Sequence, residues 1–241
     1  MEYKFAPNKN YEDLSAGRVI YHKKGFSNFP ARLASEIFMR CCEKIEPQNN
    51  LKIYDPCCGG GYLLTTLGFL HHDKIAEIYA SDISNEAVQL ASENLNLLTI
   101  AGLEDRKSQL HSLYDNYQKE SHKEAISSAI KLVDKIPENV KIQTFTRNVL
   151  ASPSTDIQLP LFDIIMTDVP YGGLVDWQAE GLSQEGCDNI SLMVDHLAKN
   201  VKETGVIAIV SDKKQKIISD CERVVKFQVG KRKIEIFKRG Y

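Results

Sequence analysis

Three carboxylates, Asp55, Asp82 and Asp168, each close an apolar run of the length expected for a buried β-strand. Acids at the carboxyl ends of neighbouring strands face the crevice in which open α/β sheets bind their ligands. The densest signal is Leu51 to Tyr62, where Leu-Lys-Ile-Tyr runs into Asp55-Pro56-Cys57-Cys58 and then Gly59, Gly60 and Gly61. Glycine tolerates positive φ and lets backbone N–H groups come close to a ligand, so this turn can cradle a nucleotide. An acid at its start suits a cation, such as the α-amino group of S-adenosylmethionine, better than it suits a pyrophosphate. A plain strand-to-helix turn is the simpler alternative, because a glycine pattern alone is weak.

Asp82 ends the next apolar strand, Glu77 to Ala80 with Ser81, and a carboxylate there can accept both ribose hydroxyls. Phe162 to Thr167 is a further buried strand and runs into Asp168-Val169-Pro170-Tyr171-Gly172. A carboxylate, a carbonyl before proline and an aromatic ring can together grip a planar base bearing an exocyclic amine. A carboxylate accepts from both N1–H and the 2-amino group of guanine, whereas adenine offers an acceptor at N1, so guanine is favoured. Trp177 follows and either closes over the base or fills the core.

The elements that must hold these residues alternate. Strands are expected near 51–55, 77–82, 140–146, 162–168 and 205–211, with helices between, giving an α/β fold built on a mostly parallel sheet. Val224 to Val229, Gly230 and Lys233 to Phe237 read as an antiparallel hairpin at one edge, which makes seven strands. Pro30 opens a helix through Phe38, with Asn28 or Ser27 as capping candidates. The segment from Tyr11 to Phe29 reads as a lid or an RNA-facing arm. Helices are expected over 87–98, 102–119 and 122–136, the last two forming a helical hairpin inserted at 101–138. The chain is read as one domain, 1–241, with residues 1–46 forming the arm and first helix.

At 241 residues and 43% apolar content the chain can bury one sizeable core. No apolar run approaches the roughly 20 residues that cross a bilayer, and the first residues lack the apolar core of a signal peptide, so a cytoplasmic location is expected. The six cysteines include the adjacent pairs Cys41-Cys42 and Cys57-Cys58, a spacing unsuited to disulfides or zinc. They are read as reduced, with no metal site. The net charge of −2 hides an asymmetry. Residues 1–40 carry seven basic and four acidic side chains, residues 213–241 ten and three, and the middle is correspondingly acidic. Basic ends suit a polyanion. The candidate contacts are Arg18, Lys23, Lys24, Lys213, Lys214, Lys216, Lys231, Arg232 and Lys233.

These motifs resemble those of class I, Rossmann-like S-adenosylmethionine-dependent methyltransferases. More narrowly, the chain is similar to the avilamycin-resistance 23S rRNA guanine methyltransferase family, through Gly17-Arg18-Val19, Phe29-Pro30 with Arg32-Leu33-Ala34, Glu36-Ile37-Phe38, Asp55-Pro56-Cys57-Cys58-Gly59, Gly61-Tyr62-Leu63-Leu64, Ala80-Ser81-Asp82 and Thr167-Asp168 with Pro170-Tyr171-Gly172. The resemblance implies that Asp55, Pro56, Cys57, Gly59 and Gly61 line the methionine part of the cofactor and that Asp82 binds its ribose. Phe29, Pro30, Arg32 and Asp168 are expected to border the same site. The family pattern has an aspartate for the adenine amine where this chain has Asn148. Arg32 is expected to meet either the cofactor carboxylate or Asp55.

The catalytic block implied is Asp168, Val169, Pro170 and Tyr171, similar to the Asn/Asp-Pro-Pro-Tyr/Phe motif of amine methylation, with Val169 in place of the first proline. It implies transfer to guanine in 23S rRNA, the exocyclic amine favoured, by a monomer acting on rRNA or the large ribosomal subunit and conferring orthosomycin resistance. The alternatives are an amine of another RNA, DNA or protein glutamine, or a non-catalytic RNA-binding protein of the same fold.

Overall fold

The structure is a computed structural model that describes residues 2–151, 158–169 and 189–240. Its strands are β1 (Leu51–Asp55), β2 (Ile75–Asp82), β3 (Lys141–Thr146), β4 (Phe162–Asp168), β5 (Val201–Asp212), β6 (Glu222–Val229) and β7 (Arg232–Lys238). They form one sheet in the order β3-β2-β1-β4-β5-β7-β6. β1 pairs in parallel with β2 and β4, β2 with β3, and β4 with β5. β7 runs antiparallel to both β5 and β6, so the expected edge hairpin is present.

The helices are α1 (Ala31–Cys42), α2 (Tyr62–Leu70), α3 (Asn85–Asn96), α4 (Ile100–Tyr117), α5 (Glu120–Leu132) and α6 (Asn189–Leu197). Strand side chains alternate between two apolar clusters, as a period of two requires. Ile53, Ile164, Met166, Val206, Ala208 and Val210 belong to the cluster that also holds Leu33, Ile37, Leu64, Leu95, Leu103 and Ala129 of α1 to α5. Tyr54, Ile165, Ile207 and Ile209 belong to the other, with Ile190, Met193 and Leu197 of α6. Burying each such side chain contributes about 1.5–3 kcal/mol.

Helix starts follow two patterns. Ser84 Oγ accepts from Ala87 N–H at 3.3 Å before α3, and Thr99 Oγ1 accepts from Gly102 N–H at 3.0 Å before α4. α1 differs from expectation: Pro30 itself occupies the cap position in extended geometry, and neither Ser27 nor Asn28 caps it. The proline supplies a preset φ and a carbonyl, which Ala34 N–H reaches at 2.9 Å.

The expected helical insertion is the α4–α5 pair, and it fastens the N-terminal arm. Leu14, Val19 and Ile20 of the arm are buried. Arg106 of α4 donates from Nε to the Val19 carbonyl at 2.9 Å, and Ser128 of α5 donates to Asp13 Oδ1 at 2.6 Å. From Leu14 to Tyr21 the arm is therefore a packed part of the domain and does not stand free as a lid. Upstream, the fully buried Glu36 of α1 accepts backbone N–H bonds from Lys4, Phe5 and Ala6, each at 2.8 Å, while Arg40 neutralises it.

Candidate active site

Parallel pairing of β3, β2, β1 and β4 brings the carboxyl ends of all four strands to one side of the sheet, and the candidate residues lie there. Asp55 is 2% exposed. Its Oδ1 accepts from Cys57 N–H at 3.1 Å. Burial pushes its carboxyl up to about 7, with the negative charges of Asp82 and Asp168 adding to the rise and the Thr167 hydroxyl and Cys57 N–H opposing it. Burial likewise raises both Cys57 and Cys58 thiols, so they remain protonated and inert.

The glycine turn is tied to the tip of β2. Gly59 N–H donates to Asp82 Oδ2 at 2.9 Å, Ser84 N–H to Asp82 Oδ1 at 3.0 Å, and Cys58 N–H to the Ser81 carbonyl at 2.9 Å. Ser81 Oγ is in turn bonded to Tyr54 at 2.7 Å and Pro56 at 3.3 Å. Gly61 caps α2 in left-handed geometry, φ +72°, and provides no side chain to satisfy the first helical N–H groups. Asn94 of α3 locks the turn from behind, donating from Nδ2 to the Gly60 carbonyl at 2.8 Å and to the Tyr21 carbonyl at 3.1 Å. Its Oδ1 accepts from Tyr21 N–H at 2.8 Å, which joins the arm to the turn. The sequence signal for Asn94 is a polar residue on the apolar face of α3, between Ala91 and Leu95.

Other candidates take separate positions. Asn148 follows β3 and its Oδ1 accepts from Leu150 N–H at 2.9 Å, one of the lone pairs that an adenine amine would use. Arg32 meets the N-terminal segment: Nε donates to the Ala6 carbonyl at 3.2 Å, Nη1 to Asn8 Oδ1 at 3.1 Å, and the guanidinium lies 4.0 Å from the centre of the Tyr3 ring. The expected Asp55 pairing is absent from those contacts. Val169 is buried and its N–H donates to the Val210 carbonyl at 2.9 Å. Pro170, Tyr171 and Trp177 lie outside the described residues.

Asp168, at the tip of β4, has a side chain 17% exposed. Burial pushes its carboxyl up to about 6, and Arg232 opposes that rise. Among the described residues its buried Oδ1 has no hydrogen-bond partner, and neither has the buried Nε of Arg232. That Nε stands 3.9 Å from Asp168 Oδ2, and the guanidinium carbon is 5.4 Å from the centre of the buried Phe29 ring.

The basic candidates divide. Arg232 faces Asp168, and Lys233 is buried between Glu235, at 2.7 Å, and the Gln215 carbonyl. Arg18 pairs with Glu12 and Glu124, and Lys23 with Glu86. Lys24, Lys213, Lys214, Lys216 and Lys231 are exposed. Lys213 N–H donates to the Lys231 carbonyl at 3.1 Å, which joins the β5 end to the β6–β7 turn.

The sequence matches the family described as rRNA methyltransferase AviRa over residues 1–232. It is 30% identical over 226 residues to the 23S rRNA (guanine(2535)-N(1))-methyltransferase of Streptomyces viridochromogenes, covering 91% of this chain and 88% of that protein. The solved structure of rRNA methyltransferase AviRa from Streptomyces viridochromogenes aligns with a TM-score of 0.88 at 28% identity, covering 99% of this chain and 97% of that one. TrmN from Thermus thermophilus shares the fold at a TM-score of 0.52 and 12% identity, over 88% of this chain and 50% of that one.

Proposed function

The chain belongs to the rRNA methyltransferase AviRa family, and from that premise we propose that it methylates ring N1 of a guanine in 23S rRNA, using S-adenosylmethionine. The observation that carries this reading is the buried Oδ1 of Asp168 at the tip of β4, which has no hydrogen-bond partner among the described residues. Guanine N1 bears a proton that must leave when the nitrogen becomes a nucleophile, and a carboxylate with an unused acceptor near neutral pH suits that task. The proposal moves the methylated atom from the exocyclic amine, favoured on the sequence motif, to the ring nitrogen named for the Streptomyces relative.

The site fits the cofactor chemically. Burial makes Asp55 costly to ionise and the charges of Asp82 and Asp168 add to that cost, which a cationic sulfonium with an ammonium group would relieve. Asp55 would take the ammonium, Asp82 the ribose hydroxyls and Asn148 the adenine amine, with Pro56, Cys57, Gly59 and Gly61 along the methionine chain. When bound, the cofactor would supply an electrophilic methyl group for N1, its sulfur keeping the electron pair of the C–S bond. Asp168 holds the base by its N1–H and takes the proton as the new bond forms. The target base must leave its stack to reach this depth.

Lys213, Lys214, Lys216 and Lys231 would meet phosphates around the entrance, since the β5 end and the β6–β7 turn adjoin Arg232 and hence Asp168. An rRNA substrate would put a monomeric enzyme in the cytoplasm. Among the described residues no helix is long and apolar enough to cross a membrane.

Transfer of labelled methyl to free 23S rRNA and to large ribosomal subunits, followed by nucleoside analysis, tests the proposal. Label in 1-methylguanosine supports it and identifies the substrate state. Label in 2-methylguanosine refutes the ring nitrogen, and no label in either RNA refutes the substrate. Inosine at the target position sharpens the result, because it retains N1–H and lacks the 2-amino group.

A further inference from the structure

We propose that Arg232 is a second base-reading residue of this reaction, donating to O6 of the target guanine while Asp168 accepts from N1–H. The inference rests on the ring-nitrogen reading above and deepens it. Arg232 and Asp168 each present a buried polar atom with no hydrogen-bond partner among the described residues, one a donor and the other an acceptor. At 3.9 Å their closest approach is too long for a hydrogen bond, so neither group satisfies the other. Buried unsatisfied atoms are costly and concentrate where a ligand completes them.

The pair has the polarity of guanine. The edge of guanine presents O6 as an acceptor beside N1–H as a donor, which matches a guanidinium beside a carboxylate. Adenine reverses both positions, with an amine donor beside a bare N1, and would set donor against donor and acceptor against acceptor. Phe29 backs the guanidinium, and the placement of Arg232 at the first position of β7 anchors its stem in the sheet.

The arrangement also does chemical work. As the N1 proton moves to Asp168 Oδ1 and N1 bonds to the methyl carbon, negative charge builds on O6 through the ring. A fixed cation at O6 stabilises that charge more than it stabilises the neutral base, which accelerates the step itself. Arginine suits the position better than lysine because its planar fork keeps its charge and points several donors in fixed directions.

The experiment compares wild type, Arg232→Gln and Arg232→Lys on target RNA carrying guanosine or 6-thioguanosine, whose sulfur is a poor acceptor. Product identity, kcat, KM for RNA and its salt dependence, cofactor affinity and unfolding midpoint are measured for each. Arg232→Gln is expected to lower kcat on guanosine by about 10²-fold, with cofactor affinity retained and part of the rate recovered in Arg232→Lys. The thio substitution should slow the wild type and scarcely affect Arg232→Gln, because both changes remove one contact. If 1-methylguanosine forms but the two losses multiply independently, or if Arg232→Gln raises only KM for RNA and flattens its salt dependence, the assignment to O6 is overturned and Arg232 is a phosphate contact. A product other than 1-methylguanosine overturns this inference together with the reading beneath it.

Discussion

The Cα of Ala91 on α3 lies 2.9 Å from the point where a Cβ on Gly61 would stand, and Gly61 has φ +72°. An alanine there meets backbone and strains its own φ, at about 1–2 kcal/mol for the left-handed geometry alone. Gly60 differs, since its added Cβ would meet the Leu90 side chain at 2.8 Å, a group that can move. Gly61→Ala should lower both the unfolding midpoint and S-adenosylmethionine affinity, and Gly60→Ala should lower them less. Thermal melts with calorimetric titration compare the two, and equal losses would contradict the backbone contact.

Asp168→Asn keeps shape and removes the base. Methyl transfer should fall at least about 10²-fold. Cofactor affinity should stay within about tenfold, or 1.4 kcal/mol. Single-turnover rates at saturating cofactor decide, and persistent turnover would remove Asp168 from the chemistry.

Since only the ionised Asp168 accepts a proton, the chemical rate should rise with pH through about 6 and then level. Burial places this limb above the usual carboxylate range, and the charge of Arg232 draws it back down. Quenched-flow rates across the transition provide the check; a level rate throughout would mean that another group takes the proton.

Asp55 has a folded-state carboxyl raised from 3.8 to about 7, so the free protein binds this proton more tightly than the unfolded chain does. Its contribution to stability is fully present below the unfolded value and is lost as pH rises through about 7. The difference in unfolding free energy between wild type and Asp55→Asn should therefore change in the sense of weakening wild type across that window. Cofactor binding below it should release a proton, measurable by calorimetry in buffers of different ionisation enthalpy. Identical heats in all buffers would argue against the raised carboxyl.

Replacing Lys213, Lys214 and Lys231 by alanine should weaken RNA binding and reduce the slope of log affinity against log salt by about 0.7–0.9 per lost phosphate contact. Filter binding over a salt series measures it. A slope equal to that of wild type would move the RNA surface away from the β6–β7 turn.

The strand tips were legible because each is an apolar run ending in an acid, and such runs need no partner to be recognised. Strand order was not, since placing β1 between β2 and β4 depends on the β1–β4 pairing, whose partners, such as Ile53 and Ile164, lie far apart in the chain. α6 falls between two expected strands without bounds of its own in the sequence reading, although Ile190, Met193, Val194 and Leu197 carry helical spacing. Lys231, Arg232 and Lys233 looked like one basic patch in a linear reading. Successive strand residues point to opposite faces, so Arg232 reaches Asp168 while Lys233 is buried with Glu235. Glu36 stood in a quoted motif, but its role depends on three N–H groups some thirty residues upstream.

Fastening the arm with α4 and α5 has a consequence for how the chain is made. Asp13 and Arg18 leave the ribosome long before Arg106, Glu124 and Ser128, the side chains that hold this segment. During synthesis Leu14, Val19 and Ile20 must wait exposed for about a hundred further residues, and closing so long a loop is slow. The arm thus docks only after α4 and α5 have been made, well after its own synthesis. Asn94, which bonds both Tyr21 and Gly60, links the glycine turn to that later docking step.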